Sequence, residues 1–561
     1  MSGILIVIFA GFFLLGAYFL YGGYLERIWG VDPKRRTPAH EMRDGVDYVP
    51  GRKSVIFGHQ FASIAGAGPI NGPIIAAMFG WVPVLLWVLI GGVFVGAVQD
   101  YASLYASVRN KGRTIGYIIE QHIGMVGKVL FLVFVWLFCI LVIAAFADIV
   151  AVTFNGYLAN GELNKAYAST AATSMLFIVA ALIFSIVVNK INPSGAATGV
   201  IAIVLLIACI GLGLNFPIYF SKGTWTCIVF AYIFAASVMP VWVLLQPRDY
   251  LNSYLLLGMM LAAVIGIFFA RPTVNLPAFA GFAVNGFSLF PMLFVIIACG
   301  AVSGFHSLVS SGTASKQVSN EKDMRFISYG AMLFESFLAV LALIAVGSLY
   351  TNNAMPVGVP PVVFANALSG FLLKVGVSQD ISFTLITLAI SAFALTSLDS
   401  VARVGRLAFQ ELFSSDDSQT FMSGILGNKY IATTLTLVMG YLLSQGGYLN
   451  IWPLFGSSNQ LLAALALIAV AVFLKRTGKQ GAMLYIPMGF MLLVTMSALG
   501  ITIMKLFRKI GAASFSMFSD GMQLIFALLL TALAVIVAWQ GIARLNRFKN
   551  QNFKDDHGVS P

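Results

Sequence analysis

Apolar runs of transmembrane length recur from one end of this chain to the other, separated by short polar stretches. Crossing a bilayer core of about 30 Å takes about 20 consecutive, mostly apolar residues in a helix. Inside lipid every backbone polar group also needs an internal partner. These two facts confine the chain to an all-α, polytopic membrane architecture. Spans are predicted near residues 3–23, 55–79, 83–108, 126–153, 170–188, 194–218, 224–245 and 253–270, then 287–313, 328–350, 381–400, 429–445, 452–474, 482–505 and 521–541. That is roughly fifteen transmembrane helices. A shorter, proline-led apolar piece at 357–373 reads as interfacial or re-entrant. Only 10% of the 561 residues are charged, against about 25% in soluble domains.

Basic residues give the orientation. With the N-terminus outside and fifteen spans threaded, 26 of the 33 Lys and Arg residues fall on one side. The remaining seven are Lys165, Lys222, Arg271, Lys374, Lys505, Arg508 and Lys509. Cytoplasmic loops carry the excess of Lys and Arg, so the C-terminus is expected in the cytoplasm. One missed span would invert every later loop and destroy the asymmetry. The net charge of +12 is thus a topology signal, with contact to anionic lipid heads, and gives no reason to invoke nucleic acid.

The first apolar stretch lacks a basic segment before it and has Lys34, Arg35 and Arg36 after it, as a retained anchor would. Loops such as 24–54 and 351–380 are too short for a domain core, and the tail after Gln540 turns polar. Cys139, Cys209, Cys227 and Cys299 all lie within proposed spans without CxxC spacing and read as small buried residues. There is no HExxH or GxSxG motif, so neither an enzyme nor a cofactor is expected. A channel should repeat a pore loop, and none is found. A membrane-embedded sensor normally needs an output domain; it stands as the alternative to a transporter.

The second predicted span contains Gly66-Ala67-Gly68-Pro69-Ile70-Asn71-Gly72-Pro73. Two prolines and three glycines in eight residues interrupt a regular helix, and the segment sits near mid-bilayer. An unwound helix there offers free N–H and C=O groups to a substrate or ion; the competing reading is a close helix crossing built on small residues. A second irregular stretch is expected at the end of the seventh span, at Pro240 and Gln246-Pro247-Arg248-Asp249-Tyr250. Spans two to six and seven to eleven then form two sets of five with opposite topology, each opening on a broken helix.

The ninth span, taken as helical, puts Ser303, His306, Ser307, Ser310, Ser311 and Thr313 within an arc of roughly 160°. That face is either a polar cavity wall or a hydrogen-bonded helix seam. Ionisable side chains in the membrane are costly and point to function. His59, Asp100, Asp148, Glu335 and Asp399 are the candidates. Asp399 is expected to pair with Arg403 one turn on, and Asp100 and Glu335 to lie near cytoplasmic ends.

Several stretches resemble the carbon-starvation protein A (CstA) family of bacterial inner-membrane transporters. They are His59-Gln60-Phe61 through Gly72-Pro73, Val98-Gln99-Asp100-Tyr101, Gln246 to Leu251, Ser303 to Leu308 with Ser310 to Thr313, Asp399 to Arg403, and Trp452 to Gly456 with Asn459 to Leu462. The resemblance implies ion-driven uptake of pyruvate or short peptides during carbon limitation, and a LeuT-like core of 5+5 inverted repeats with additional helices. The expected organisation is an anchor helix and basic loop (1–54), a first repeat (55–218), a second repeat (219–413), further helices (414–543) and a polar tail (544–561). Expected partners are a small-molecule substrate, a coupling proton or sodium ion, and the lipid bilayer.

Substrate is expected at Gly66, Ala67, Gly68, Pro69, Asn71 and Gly72, where the restarting half-helix suits a carboxylate, and along Gln99 and Gln246. Ion coupling is expected at His59, Asp100, His306, Ser310, Ser311 and Thr313. Sodium would take carbonyls at Ala65 and Gly68 with the hydroxyls of Ser310 and Ser311. A proton would take His306 together with His59, and family members thought to be proton-driven favour that version.

Overall fold

A computed structural model describes residues 1–547 except 46, 159, 192–194, 240, 414–420, 480, 513–514 and 518. Helix α1 (Gly3–Trp29) precedes two half-helices, α2 (Lys53–Ile64) and α3 (Gly68–Ala76), bent by 46°. Next come α4 (Trp81–Arg109), which is π-helical over Trp87–Gly96, and the short α5 (Ile115–His122). They lead to α6 (Met125–Thr153), α7 (Lys165–Ile191), α8 (Gly195–Asn215), α9 (Lys222–Val238) and α10 (Val241–Ala270). A small hairpin pairs Ala283 with Ser288, and three short helices follow: α11 (Leu289–Ile296), α12 (Ala298–Ala301) and α13 (Gly304–Gly312). The chain continues through α14 (Ala331–Leu349), α15 (Pro360–Leu373), α16 (Gln379–Phe413), α17 (Lys429–Ser444), α18 (Tyr448–Arg476), α19 (Ala482–Gly511) and α20 (Ser519–Arg547).

Among the described residues eleven helices are long and apolar enough to cross a membrane, or twelve with the bent pair α2–α3. The other expected spans, at 224–245, 287–313 and 429–445, fall on a 17-residue helix, three short pieces and a 16-residue helix. Burial separates centre from rim: the apolar window of α18 is 100% buried and that of α8 22%. The exposed apolar side chains of α1 and α8 therefore face lipid, where hydrocarbon makes them costless.

The expected break in the second span is present. Ala65 leaves helical torsions (φ −76°, ψ 66°), and the Gly66 amide turns back onto the Ile64 carbonyl at 2.8 Å. Pro69 then falls in the first turn of α3, where its missing N–H has no intrahelical acceptor to lose.

Two expectations need correction. The Gln246–Tyr250 stretch lies within α10 and not in an irregular segment. The interruption is earlier, at Met239, whose backbone is extended (φ −72°, ψ 152°); Pro240 lies outside the described residues. The ninth span is not one helix. It is kinked at Ile297 (φ −87°, ψ 53°) and extended at Val302 and Ser303 (ψ 124° and 121°).

Broken backbone inside a bilayer must be satisfied by protein, and here side chains of neighbouring helices do so. Gln460 Nε2 donates to the Phe294 carbonyl at 2.5 Å, Trp452 Nε1 to Ile296 at 3.2 Å and Gln99 Nε2 to Ser303 at 2.9 Å. Asn459 Oδ1 accepts the Phe305 amide at 3.1 Å, capping the start of α13. The Trp452–Gln460 stretch thus serves the broken ninth span.

The two broken spans lie side by side and antiparallel: Gly68 meets Cys299, and Gln60 meets Ser310. Small residues permit the approach. A Cβ on Gly72 would stand 2.8 Å from the Ile296 carbonyl oxygen, and one on Gly68 2.5 Å from Cys299 Cβ. Loops threaded to one side also meet. Arg109 and Arg35 converge on Glu321, and Lys316 reaches Asp47. On the opposite side the Met1 amine donates to the Val274 carbonyl.

Candidate functional site

A cavity opens where the breaks in both spans face α6, α16 and α18. Its wall includes Ile64 and Gly66 of the second span, Cys299, Ser303 and Phe305 of the ninth, and Ser397. Phe138, Phe146 and Phe455 close it with apolar surface, and Asn459 joins Ser303 and Ser397 as a third polar side chain. It is narrow, with room for about one water molecule. The Ser397 hydroxyl has no hydrogen-bond partner and stands where a Cβ on Gly66 would fall, 2.6 Å away.

Immediately behind this wall lies a wholly buried group of three titratable side chains. His306 of α13 places Nδ1 2.9 Å from Asp100 Oδ2 of α4, in a hydrogen bond. Its Nε2 is 3.2 Å from Glu335 Oε2 of α14, outside hydrogen-bond geometry. All three side chains are 0% exposed. The Ile64 carbonyl, at the end of α2, lies against the same imidazole. Asp100 and Glu335, expected near cytoplasmic ends, are fully buried by the helices packed around α4 and α14.

A second charged network sits between α2, α9, α10 and α16. Arg248 bonds Tyr232 Oη at 2.7 Å and Asp249 at 3.1 Å, and pairs with Asp399. Tyr232 donates to Asp399 Oδ2 at 2.8 Å, and His59 Nδ1 is 3.3 Å from Asp249 Oδ2. The expected Asp399–Arg403 pair is not formed. Arg403 instead donates to the Ala236 and Met239 carbonyls at the end of α9, which a freed helix terminus requires. Asp148 binds Lys222 Nζ at 2.7 Å and accepts the Tyr448 amide at 2.9 Å, a structural pin on α18.

The remaining expected site residues divide by position. Gly66 faces the cavity. Gly68, Pro69 and Gly72 pack on the ninth span, so the close-crossing reading accounts for these three. Ala67 is buried, and Asn71 is buried with neither amide atom in a hydrogen bond. Gln99 supports the Ser303 carbonyl; the Gln246 side chain lies outside the described residues. Ser310 accepts from Gln60 at 2.8 Å, whereas Ser311 bonds Ser307 O and Thr313 bonds Val309 O on their own helix. Thr313 is exposed. The antiparallel register sets Ser310 against Gln60 and Gly68 against Cys299. Ala65, Gly68, Ser310 and Ser311 are thereby spread over roughly 12 Å of helix at 1.5 Å per residue. Cys139, Cys209 and Cys299 are buried as expected, but Cys227 is exposed.

The family model described as carbon starvation protein CstA matches residues 2–369 and 357–498. The chain belongs to the CstA family. Among its curated relatives is the pyruvate/proton symporter BtsT of Escherichia coli (strain K12), 33% identical over 89% of this chain and 81% of that protein. The peptide transporter CstA of the same organism is 34% identical, over 86% and 78%. The peptide transporter CstA of Bacillus subtilis (strain 168) is 31% identical over 96% of both. Among solved structures, MhsT in complex with L-phenylalanine superposes with a TM-score of 0.49 at 13% identity, over 88% of this chain and 99% of that one. As a CstA family member the chain is a multi-pass bacterial membrane transporter and not an enzyme.

Proposed function

We propose that this transporter imports a small carboxylate of the pyruvate class by symport with a proton, the N-terminus lying outside and the C-terminus in the cytoplasm of the inner membrane. The observation that carries the reading is the buried His306–Asp100 hydrogen bond placed against the unwound end of α2. An imidazole titrates near neutral pH, and a proton needs no coordination cage. A sodium site on Ala65, Gly68, Ser310 and Ser311 has less support, because the antiparallel register spreads those residues along the helix pair. The cavity supports the place of the substrate: it lies where the two broken spans meet, walled by phenylalanines with Ser303, Ser397 and Asn459 as polar groups, and it must widen to admit one. The extended backbone at Met239, beside the break expected in the seventh span, supports a LeuT-like core of 5+5 inverted repeats in which the second and seventh spans are the related pair. A sensor without transport is disfavoured by the transporter names of the relatives.

Uptake of labelled pyruvate and of labelled dialanine into proteoliposomes, under imposed proton or sodium gradients, tests the reading. Pyruvate accumulation under a proton gradient alone is expected. Accumulation only under a sodium gradient overturns the coupling, and accumulation of dialanine in place of pyruvate overturns the substrate class.

A further inference from the structure

We propose that Glu335 is the proton-carrying group of the transporter, with His306 and Asp100 forming the fixed pair that positions it. The inference deepens the proton-coupled reading above and rests on it for its role in transport, though not for its chemistry.

Glu335 is fully buried, and neither of its carboxylate oxygens has a hydrogen-bond partner. An ionised carboxylate in that position would be desolvated without a hydrogen bond, its one cationic neighbour being His306 Nε2 at 3.2 Å on an imidazole already bonded to Asp100, which costs several kcal/mol. Asp100 differs, because His306 Nδ1 supplies it with a hydrogen bond at 2.9 Å. Two carboxylates therefore share one imidazole, and only one of them is bonded to it. The arrangement is electrically balanced when His306 is cationic, Asp100 anionic and Glu335 a neutral acid. In that state the three groups together hold one proton more than the ion pair requires, and Glu335 bears it.

The position also connects to the cavity. Cys299 lines the cavity wall and interacts with Glu335 behind it. Glu335 and His306 thus both lie behind residues that wall the cavity, Cys299 and Ile64 respectively. The groups acting on it are His306 from α13, Asp100 from α4 and Cys299 from α12. Of the other helices packed on α14, α3 and α15 bring no titratable side chain. From α1, Glu26 is bound to Arg325 at 3.0 Å and Tyr18 lies under the same guanidinium. On α2, His59 is engaged by Asp249, and on α10 Arg248 and Asp249 belong to that second network. A proton from the outer solution forms the O–H bond on the Glu335 carboxylate; on release that bond breaks and the proton passes to the cytoplasm.

Infrared difference spectroscopy of the intact protein in liposomes decides the assignment without any substrate. At neutral pH the wild type should show the carbonyl stretch of a buried protonated carboxylic acid. Glu335→Gln should lose that band and Asp100→Asn should keep it. Absence of the band in the wild type, or its persistence in Glu335→Gln, overturns the proposal. Should Glu335→Gln fail to fold, wild-type protein made with carbon-13-labelled glutamate serves instead: the band must shift if it belongs to Glu335, and an unshifted band overturns the assignment. In transport, Glu335→Gln should lose accumulation of labelled pyruvate under a proton gradient. A wild type that moves neither pyruvate nor dialanine under that gradient sinks the functional reading, while the infrared result still decides Glu335.

Discussion

His122 shows how a single side chain records its packing. It sits on α5, outside the spanning helices, and Arg476 approaches its Nδ1 at 3.2 Å. Burial, helped by the Arg476 charge, lowers its pKa from 6.5 to about 4. The folded protein therefore binds fewer protons here than the unfolded chain between those two values. Stability from this residue is complete above pH 6.5 and declines as pH falls toward 4. The thermal midpoint of the wild type in detergent should drop across that window, and His122→Gln should flatten this part of the profile. Glycines separate cavity from packing in the same way. A Cβ on Gly66 meets a rotatable serine hydroxyl, whereas one on Gly72 meets backbone at Ile296 and Ile297. Gly66→Ala should fold with a near-normal thermal midpoint and slow pyruvate uptake, because it intrudes on the cavity. Gly72→Ala should cost about 1–3 kcal/mol from overpacking, visible as a lowered midpoint; the reverse pattern would exchange the two roles.

At the level of helices, the Arg248 network ties four elements with one guanidinium. Removing it leaves Asp399 and Asp249 buried without their cation, a loss of about 3–5 kcal/mol for a broken buried pair. Arg248→Met should therefore yield little folded protein, and Arg248→Met combined with Asp399→Leu should recover part of it. Equal yields from the single and double variants would show that the pair is not what holds α10 to α16. The sequence made the break at Gly66 legible, since two prolines and three glycines mark it locally. It did not reveal the breaks in the ninth span, because Ile297, Val302 and Ser303 carry no helix-breaking side chain; they are held open by Trp452, Asn459, Gln460 and Gln99 from distant helices. The partner of Asp399 was misread for a related reason. Arg403 is one turn away along the helix, but Arg248, 151 positions earlier in the numbering, is nearer in space. Asp100, His306 and Glu335 were each visible as intramembrane ionisable residues, yet their meeting depends on α4, α13 and α14 converging, which no local pattern encodes.

Across the whole molecule, the cavity lies at the meeting of the two broken spans and is too narrow to hold a substrate as it stands, so transport requires these segments to move. The half-helix α2 is the element best placed to do so. It ends at the unwound Ala65–Ala67 turn, and it is held to α10 by the His59–Asp249 contact and by close packing of Gly58 on Ser253. By the proposed threading this contact is on the cytoplasmic side, so opening it would connect the cavity to the cell interior. A covalent tie across the contact tests whether the movement is needed. A Cβ on Gly58 would stand 3.5 Å from the Cβ of Ser253, within the 3.5–4.5 Å that a disulfide spans. Gly58→Cys with Ser253→Cys should therefore form a disulfide under mild oxidation. The oxidised double variant should bind in the membrane as a folded protein but accumulate no labelled pyruvate, and a reducing agent should restore uptake. Each single variant, treated with the same oxidant, should transport at its unoxidised rate, which separates the cross-link from oxidation of Cys299 in the cavity wall. If the cross-linked protein still accumulates substrate, α2 stays docked on α10 throughout the cycle, and the cytoplasmic opening must be sought at another helix.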